Sequence, residues 1–381
     1  MVNKKIYLDY AATTPVDSEV KKTMLPYFSE KFGNAGSLHS FGQEATAAID
    51  GAREKIAKAI GAQFREIIFT GSATEANNLA LRGVLKAKSL KVKARIIVSA
   101  IEHESVLETA KDLEREGAEV IYLPVNREGL VDVGKLKESL NERTILVSVM
   151  YVNNEIGTVQ PVREISKLIL EFRKHSTFPL FHTDAAQALQ YLDCDINNLG
   201  VDLMTLSAHK IYGPKGIGVL YAKSLKLKAI ITGGGQEFGF RSGTENTPLI
   251  VGFGKAVELA ARDRKRAAKK ITELRDYFWK ELKKIEPKIE VNGRIAPHIL
   301  NIYFPYRGSQ DFLARLDLSG ISASSGSACF ARSLVPSYVI QALGYSRERA
   351  EHSVRFSFGK YIGKKDIDEA LKRVKIIVDN S

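Results

Sequence analysis

Between residues 65 and 225, seven short apolar runs rich in β-branched residues alternate with helical patterns: "EIIFT", "RIIVSA", "EVIYLPV", "TILVSVMYV", "LFHTDA", "LMTLSA" and "IGVLYA". Near-continuous apolar strands separated by helices predict a mostly parallel seven-stranded sheet covered on both faces, an α/β fold. In such sheets ligands sit beyond the carboxyl ends of the strands. The polar residues of this stretch fall at those ends: Asn153 and Asn154, Asp184 and Gln187, Ser207, His209 and Lys210. A long helix is expected over about 259–285, where Leu259, Ile271, Leu274, Phe278, Leu282 and Ile285 recur mostly at three- and four-residue steps. After it, "HILNIYF", "GISASS" and "SVRFSF" read as short strands of a smaller α+β domain. In the last, Val354, Phe356 and Phe358 alternate with Ser353, Arg355 and Ser357, so one face packs on a core and the other carries an arginine. The expected division is a large domain over 15–258 and a small one built from 1–14 and 259–381.

The chain has 381 residues, more than one core usually holds, and 44% of them are hydrophobic against 26% charged, an ordinary globular balance. No apolar stretch reaches membrane-spanning length, and "MVNKKIYLDYAATTP" turns polar too early for a signal peptide. Two cysteines far apart provide neither a disulfide framework nor a metal spacing, which favours a reducing, cytoplasmic setting and no metal. The net charge of +12 could serve nucleic acid, yet the basic residues are dispersed and no recognition motif accompanies them. The cluster "RDRKRAAKK" lies on the expected long helix and reads as its solvated face.

Three local features bear on chemistry. In "TGSATEANNLAL" a strand runs through small residues into a helix, where backbone N–H groups would be open to an anion; Ser72 or Thr74 could equally be an ordinary cap. Asp184 ends a buried strand, where a carboxylate must be paired or hydrogen-bonded, though a helix cap has about even odds. Lys210 ends another; an amine drawn into a low-dielectric site becomes usable, though a snorkelling surface lysine is the commoner case. Together they match pyridoxal 5′-phosphate, whose phosphate needs donors, whose pyridinium needs a carboxylate and whose aldehyde needs a lysine.

Along nearly its whole length the chain resembles the cysteine desulfurases, fold-type I pyridoxal-phosphate enzymes of the NifS/IscS type within the class V aminotransferases. The resemblance rests on "YLDYAATTPV", "FGNAGSLHSFGQEA", "TGSATEANNLA", "EHESV", "VNNEIGTVQP", "HTDAAQ", "SAHKIYGPKGIG", "GGGQEFGFRSGTEN", "SSGSAC" and "VRFSFGKY". It implies that Lys210 holds the cofactor's aldehyde and removes the substrate's Cα proton, and that Asp184 holds the pyridinium. Gln187 and Asn154 would contact the phenolic oxygen side. His103, otherwise a plain helix-start residue, would stack on the ring and carry a proton. Ala73, Thr74, Ser207 and His209 would bind the phosphate. Thr244 would reach the phosphate of a neighbouring subunit, which implies a homodimer with shared sites. Arg355 would clamp the carboxylate of L-cysteine. Cys329 would attack the substrate sulfur and leave as a persulfide, with L-alanine released. Cys194, in "YLDCDIN", is read as a buried structural cysteine.

The chain departs from the family pattern where "GNAGSLH" replaces a proline–serine run and where "TGSATEA" swaps the usual serine–glycine order. It ends at "ALKRVKIIVDNS", where many such enzymes continue into a tail that contacts an iron–sulfur scaffold protein. Delivery to such a sulfur acceptor is therefore less expected than desulfuration itself. The alternatives on the same fold are a selenocysteine lyase or a class V aminotransferase, the latter having no use for Cys329. A non-enzymatic sulfur or cluster carrier is a third, for which loss of Lys210 would have been the mark.

Overall fold

All seven apolar runs are strands. The computed structural model describes residues 5–88, 93–223, 227–294, 296–326 and 336–379. Twelve strands follow in chain order: β1 (Ile6–Tyr7), β2 (Ile67–Thr70), β3 (Arg95–Ser99), β4 (Glu119–Leu123), β5 (Thr144–Ser148), β6 (Leu180–Asp184), β7 (Leu203–Ser207), β8 (Gly218–Ala222), β9 (Glu290–Val291), β10 (Ile299–Tyr303), β11 (Ile321–Ser322) and β12 (Ser353–Ser357). Seven of them form one sheet in the order β2-β8-β7-β6-β5-β3-β4, with β8 antiparallel to both its neighbours and the other pairings parallel. The crossovers bring strands β2, β3, β5, β6 and β7 to finish at one edge, each running into a polar turn.

Alternate side chains feed two cores. Phe69, Ile97, Val147, Phe181, Met204 and Val219 point to one face; Ile68, Ile96, Val98, Leu146, Leu203 and Leu220 point to the other. Both faces are dry, which explains why these strands read as continuous apolar runs rather than as alternation.

The long helix spans Thr247–Ile285 and starts earlier than its apolar spacing suggested, because Asn246 caps the N–H of Leu249 and a proline occupies the first turn. Its first half packs Ile250, Phe253, Val257 and Ala260 on the large sheet. Farther along, Ile271, Phe278 and Leu282 belong to a separate core with Leu300, Ile302, Val354, Phe356 and Phe358. The residue pair 258/259, where the sequence suggests a division, thus lies inside one unbroken helix. Arg262 and Arg266 on it are exposed and pair with Asp263, the solvated face expected of that cluster.

The second core sits on the antiparallel sheet β12-β10-β9. Phe278 lies 5.0 Å from Phe356 and 5.6 Å from Phe358, centroid to centroid. Burying each such ring contributes about 1.5–3 kcal/mol. Strand β12 differs from expectation in one respect: all five residues are buried, so its polar face is covered as well. The cover is the N-terminal segment. Strand β1 pairs in parallel with β11, Asp9 bridges to Ser357, and Ser324 bridges to Arg355. Residues 6–13 are thereby laid across the edge of the large sheet where the polar turns gather.

Candidate active site

A cavity of about 400 Å³ opens at that edge. Its lining includes Ala73, Thr74, His103, Asn154, Asp184, Gln187, Ser207, His209, Lys210 and Arg355, ten of the twelve residues singled out by sequence. Cys329 lies outside the described residues. Thr244 is exposed and borders a different, smaller cavity; Gly216 and Ile217 line both and form the wall between them.

The anion cradle begins at Ser72, which caps the helix Ala73–Ala87 by accepting a 3.1 Å hydrogen bond from the N–H of Glu75. The first N–H groups of a helix have no partner within it, so those of Ala73 and Thr74 belong to the turn that faces the cavity. The helix start lies unusually close to β8. A Cβ on Gly218 would come within 2.5 Å of the Ser72 carbonyl carbon and 2.7 Å of the Ala73 nitrogen, so only glycine permits the approach. Ser207 and His209 complete this wall. His209 is a neutral imidazole, pushed down to about 3 by burial and by Lys210 and Lys215; its Nδ1 lies 3.1 Å from the Thr13 hydroxyl.

Asp184 is held from two sides. Its Oδ1 accepts from the N–H of Ala186 at 2.9 Å, a local turn cap, while its Oδ2 accepts from Asn77 Nδ2 at 2.8 Å. The expected cap is present as a local turn, and the second oxygen is held by a separate donor. Asn77 also donates to Ser105 Oγ at 2.8 Å, and Ser105 Oγ lies 2.9 Å from His103 Nδ1. His103 is the N-cap of the helix Glu104–Arg115. A hydrogen-bonded chain therefore runs from Asp184 through Asn77 and Ser105 to His103.

Lys210 stands in a short 3-10 turn after β7, and its Nζ donates to the carbonyls of Ala11 and Ala12 at 2.7 and 2.8 Å. Gln187 also reaches that segment, donating to Ala11 O at 2.9 Å, and its Oε1 meets His298 Nε2 at 3.2 Å. Asn154 Oδ1 is buried and receives no hydrogen bond among the described residues. Arg355 is only 1% exposed; Nη2 pairs with Asp9 at 2.8 Å, Nη1 donates to Asn154 O at 2.7 Å, and Nε has no acceptor among the described residues.

The match to known proteins fits this geometry. The family described as "Aminotransferase class-V" covers residues 6–370. A protein named "Cysteine desulfurase IscS" from Dictyoglomus turgidum is 46% identical over 99% of this chain and 95% of its own. The chain belongs to the cysteine desulfurases. A mitosomal cysteine desulfurase of Encephalitozoon cuniculi is 45% identical over 96% of this chain and 84% of its own. Among solved structures, a NifS-like protein superposes with a TM-score of 0.92 at 36% identity, covering 99% of this chain and all of the other. These cysteine desulfurases are fold-type I enzymes, and pyridoxal 5′-phosphate is their cofactor.

The residues present fit that cofactor. One wall offers helix N–H groups for a phosphate, the opposite end offers Asp184, and Lys210 lies between. Asn154's amide oxygen is buried beside them without a hydrogen bond among the described residues, as an atom waiting on a ligand would be.

Sequence reasoning missed Asn77, Ser105, His298, Asp9 and the carbonyls of Ala11 and Ala12. Asp9, Ala11 and Ala12 sit inside "YLDYAATTPV", so that quoted run was the available signal. Asn77 and Ser105 likewise sit inside "TGSATEANNLA" and "EHESV", whereas His298 carried no signal beyond being polar in apolar surroundings. Cys194 is fully buried with its thiol pushed up to about 12 by burial, an unreactive core cysteine as expected. Among the described residues no helix is long and apolar enough to cross a membrane, and no cluster could hold a metal.

Proposed function

We propose that this enzyme removes the sulfur of L-cysteine, leaving L-alanine and a persulfide on Cys329, and passes that sulfur to acceptors. The observation that carries this reading is the convergence of Lys210, Asp184, His103 and Arg355 on one cavity from four separate chain segments. A cofactor-free protein would have little use for a helix N-terminus, a doubly held carboxylate and a lysine so arranged.

When bound, pyridoxal 5′-phosphate supplies an electron sink for the pair left at the substrate's Cα after deprotonation. Ala73, Thr74, Ser207 and His209 would hold its phosphate. Asp184, kept in place by Asn77 and Ala186, would hold the pyridine nitrogen. Lys210 would hold the cofactor's aldehyde and serve as the base for the Cα proton, its amine oriented by the Ala11 and Ala12 carbonyls. Gln187 and Asn154 would serve the phenolic oxygen, and His103 would face the ring and move protons. Arg355 takes the substrate carboxylate. The thiolate of Cys329 attacks the substrate sulfur: an S–S bond forms, the Cβ–S bond breaks, and its electron pair returns to the carbon skeleton that becomes alanine.

Iron–sulfur assembly is the destination we favour for the sulfur, as the name of the D. turgidum protein supports. A homodimer with shared sites is part of the reading. The Gly216–Ile217 wall keeps Thr244 from its own chain's cavity, so a cofactor contact by Thr244 would be made in a second copy. We also place the large unit over 15–258 and the small one over 1–14 and 259–381, joined through the helix Thr247–Ile285.

The test is product analysis with purified protein, L-cysteine and a reductant. Alanine and sulfide should form in equal amounts, and Cys329→Ser should abolish both while keeping the cofactor's visible absorption. A yellow protein that forms neither product overturns the reading; activity on selenocysteine but not cysteine would favour the lyase alternative.

A further inference from the structure

Glu104, the neighbour of His103, has no part in the reaction as described. Two donors converge on His103 Nδ1. The backbone N–H of Ser105 donates to it at 3.1 Å, and the Ser105 hydroxyl lies 2.9 Å away with its own oxygen already accepting from Asn77. A nitrogen that accepts a backbone N–H carries no proton, so the neutral ring bears its hydrogen on Nε2. That nitrogen stands 3.2 Å from Glu104 Oε2.

The carboxylate has its own need for this contact. Both Glu104 oxygens are buried, the side chain is 15% exposed, and neither oxygen accepts a hydrogen bond among the described residues. A charge set out of water without donors is costly, and the Nε2–H beside it is the donor in reach.

We propose that Glu104 is the positioning residue for His103: its carboxylate, 3.2 Å from Nε2, attracts that edge of the ring, holds the ring's plane at the cavity and favours the ring's protonated form. The inference rests on the reading that His103 works at this site. Glu104 acts through His103, and it does so against opposition. Lys210, Lys215 and His209 line the same cavity, and two ammonium groups there disfavour a further positive charge. Protonation at Nδ1 would also cost the Ser105 cap. On the other side stand Asp184, reached through Ser105 and Asn77, and Glu102, whose buried carboxyl is raised to about 8 and so carries little charge near neutrality. Glu104 is the nearby anion that offsets the two lysines.

The test compares E104Q and E104A with the parent protein, all loaded with cofactor, by nitrogen-15 NMR of selectively labelled histidine. The His103 signals are assigned by their loss in H103N. The parent should show the Nε2–H tautomer. E104Q keeps an acceptor but loses the charge, so the tautomer should persist while the titration midpoint falls by about one pH unit, the scale of an opposite charge removed from within ~4–6 Å. E104A should lower the midpoint as well, while the Ser105 N–H keeps the tautomer. The acidic limb of kcat/KM should move with the midpoint in E104Q. An unshifted midpoint in E104Q, or an Nδ1–H tautomer in the parent, overturns the inference. The NMR readout does not need turnover, so a protein that makes no alanine yet shows the shift would overturn the proposed function and leave this inference standing.

Discussion

Arg355 Nη2 and Asp9 Oδ1 lie 2.8 Å apart, joining two residues from opposite ends of the chain in a pair that the cavity sees only from the arginine's side. Arg355 Nε, on the same side of the guanidinium as Nη2, is buried with no acceptor among the described residues. Were the substrate carboxylate to approach that edge, as proposed, it would find one N–H to itself and share the other with Asp9.

Arg355→Lys should therefore raise KM for L-cysteine by about tenfold or more, since a point charge cannot reproduce a planar fork and 1.4 kcal/mol is a factor of ten. The cofactor's absorption should not change. Asp9→Asn should act the other way on substrate, lowering KM, while lowering the melting temperature, because the buried guanidinium loses the anion that compensates it. Steady-state kinetics and thermal melts on both variants check the pair; a D9N protein with raised KM would show that Asp9 orients Arg355 rather than competing for it.

Asn77→Ala removes the donor to Asp184 Oδ2 without touching the cavity wall. Hydrogen bonds to charged groups contribute about 1.5–3 kcal/mol, so the cofactor should bind roughly ten- to a hundredfold more weakly. Dissociation followed by the loss of visible absorption on dilution measures it. Wild-type retention of the cofactor would mean that Ala186 alone holds the carboxylate.

The Thr244-bearing segment is anchored in the large core by a buried ion pair. Arg53 donates through both Nη atoms to the two oxygens of Glu237 at 2.8 Å each, and Glu237 also accepts from the N–H of Phe69. The arginine stacks near Phe69 and Phe238. Glu237 and Phe238 both have positive φ, 51° and 59°, a conformation that persists only where the surroundings enforce it. Glu237→Gln should cost about 3–5 kcal/mol, the penalty for stranding a buried charge, read as a lower denaturation midpoint. It should also weaken any dimer contact made by Thr244, checked by sedimentation at low protein concentration.

How far these features were legible depends on the range over which the chain makes them. Lys210, Asp184 and Ser72 each sit where a strand ends, and an apolar run followed by a polar residue is a local signal. The strands themselves were legible for the same reason. The antiparallel course of β8 was not, because a buried strand reads alike in either direction. Asp9 and Arg355 are 346 positions apart, and nothing near either one names the other. The role of Ala11 and Ala12 is played by their carbonyls, which every residue possesses. Arg355 looked like the occupant of an open strand face because the segment that covers it comes from the other end of the chain. His103 was legible as a helix start, and the structure makes it one; that the cap also sets its tautomer follows only from seeing Ser105 and Glu104 around the ring.

Glu102 offers a test by pH. It is fully buried, accepting from Ser99 Oγ at 2.5 Å and Met150 N at 2.7 Å, so it ties the ends of β3 and β5 just ahead of His103. Burial raises its carboxyl from 4.5 to about 8, with Asp184 adding to the shift while its hydrogen bonds and His103 oppose it. Below pH 4.5 the group is protonated in both folded and unfolded chains and contributes no pH dependence. As the pH climbs from 4.5, the unfolded chain ionises and the folded chain does not, so stability falls until the folded group ionises near 8, then levels off. Glu102→Gln cannot ionise. Any cost of its extra N–H donors is independent of pH, so the variant's stability relative to the parent should improve steadily between pH 4.5 and 8 and be flat on either side. Chemical denaturation at pH 4, 6 and 8 would measure that difference; a constant offset across the range would mean that Glu102 is ionised in the fold and paired with a cation.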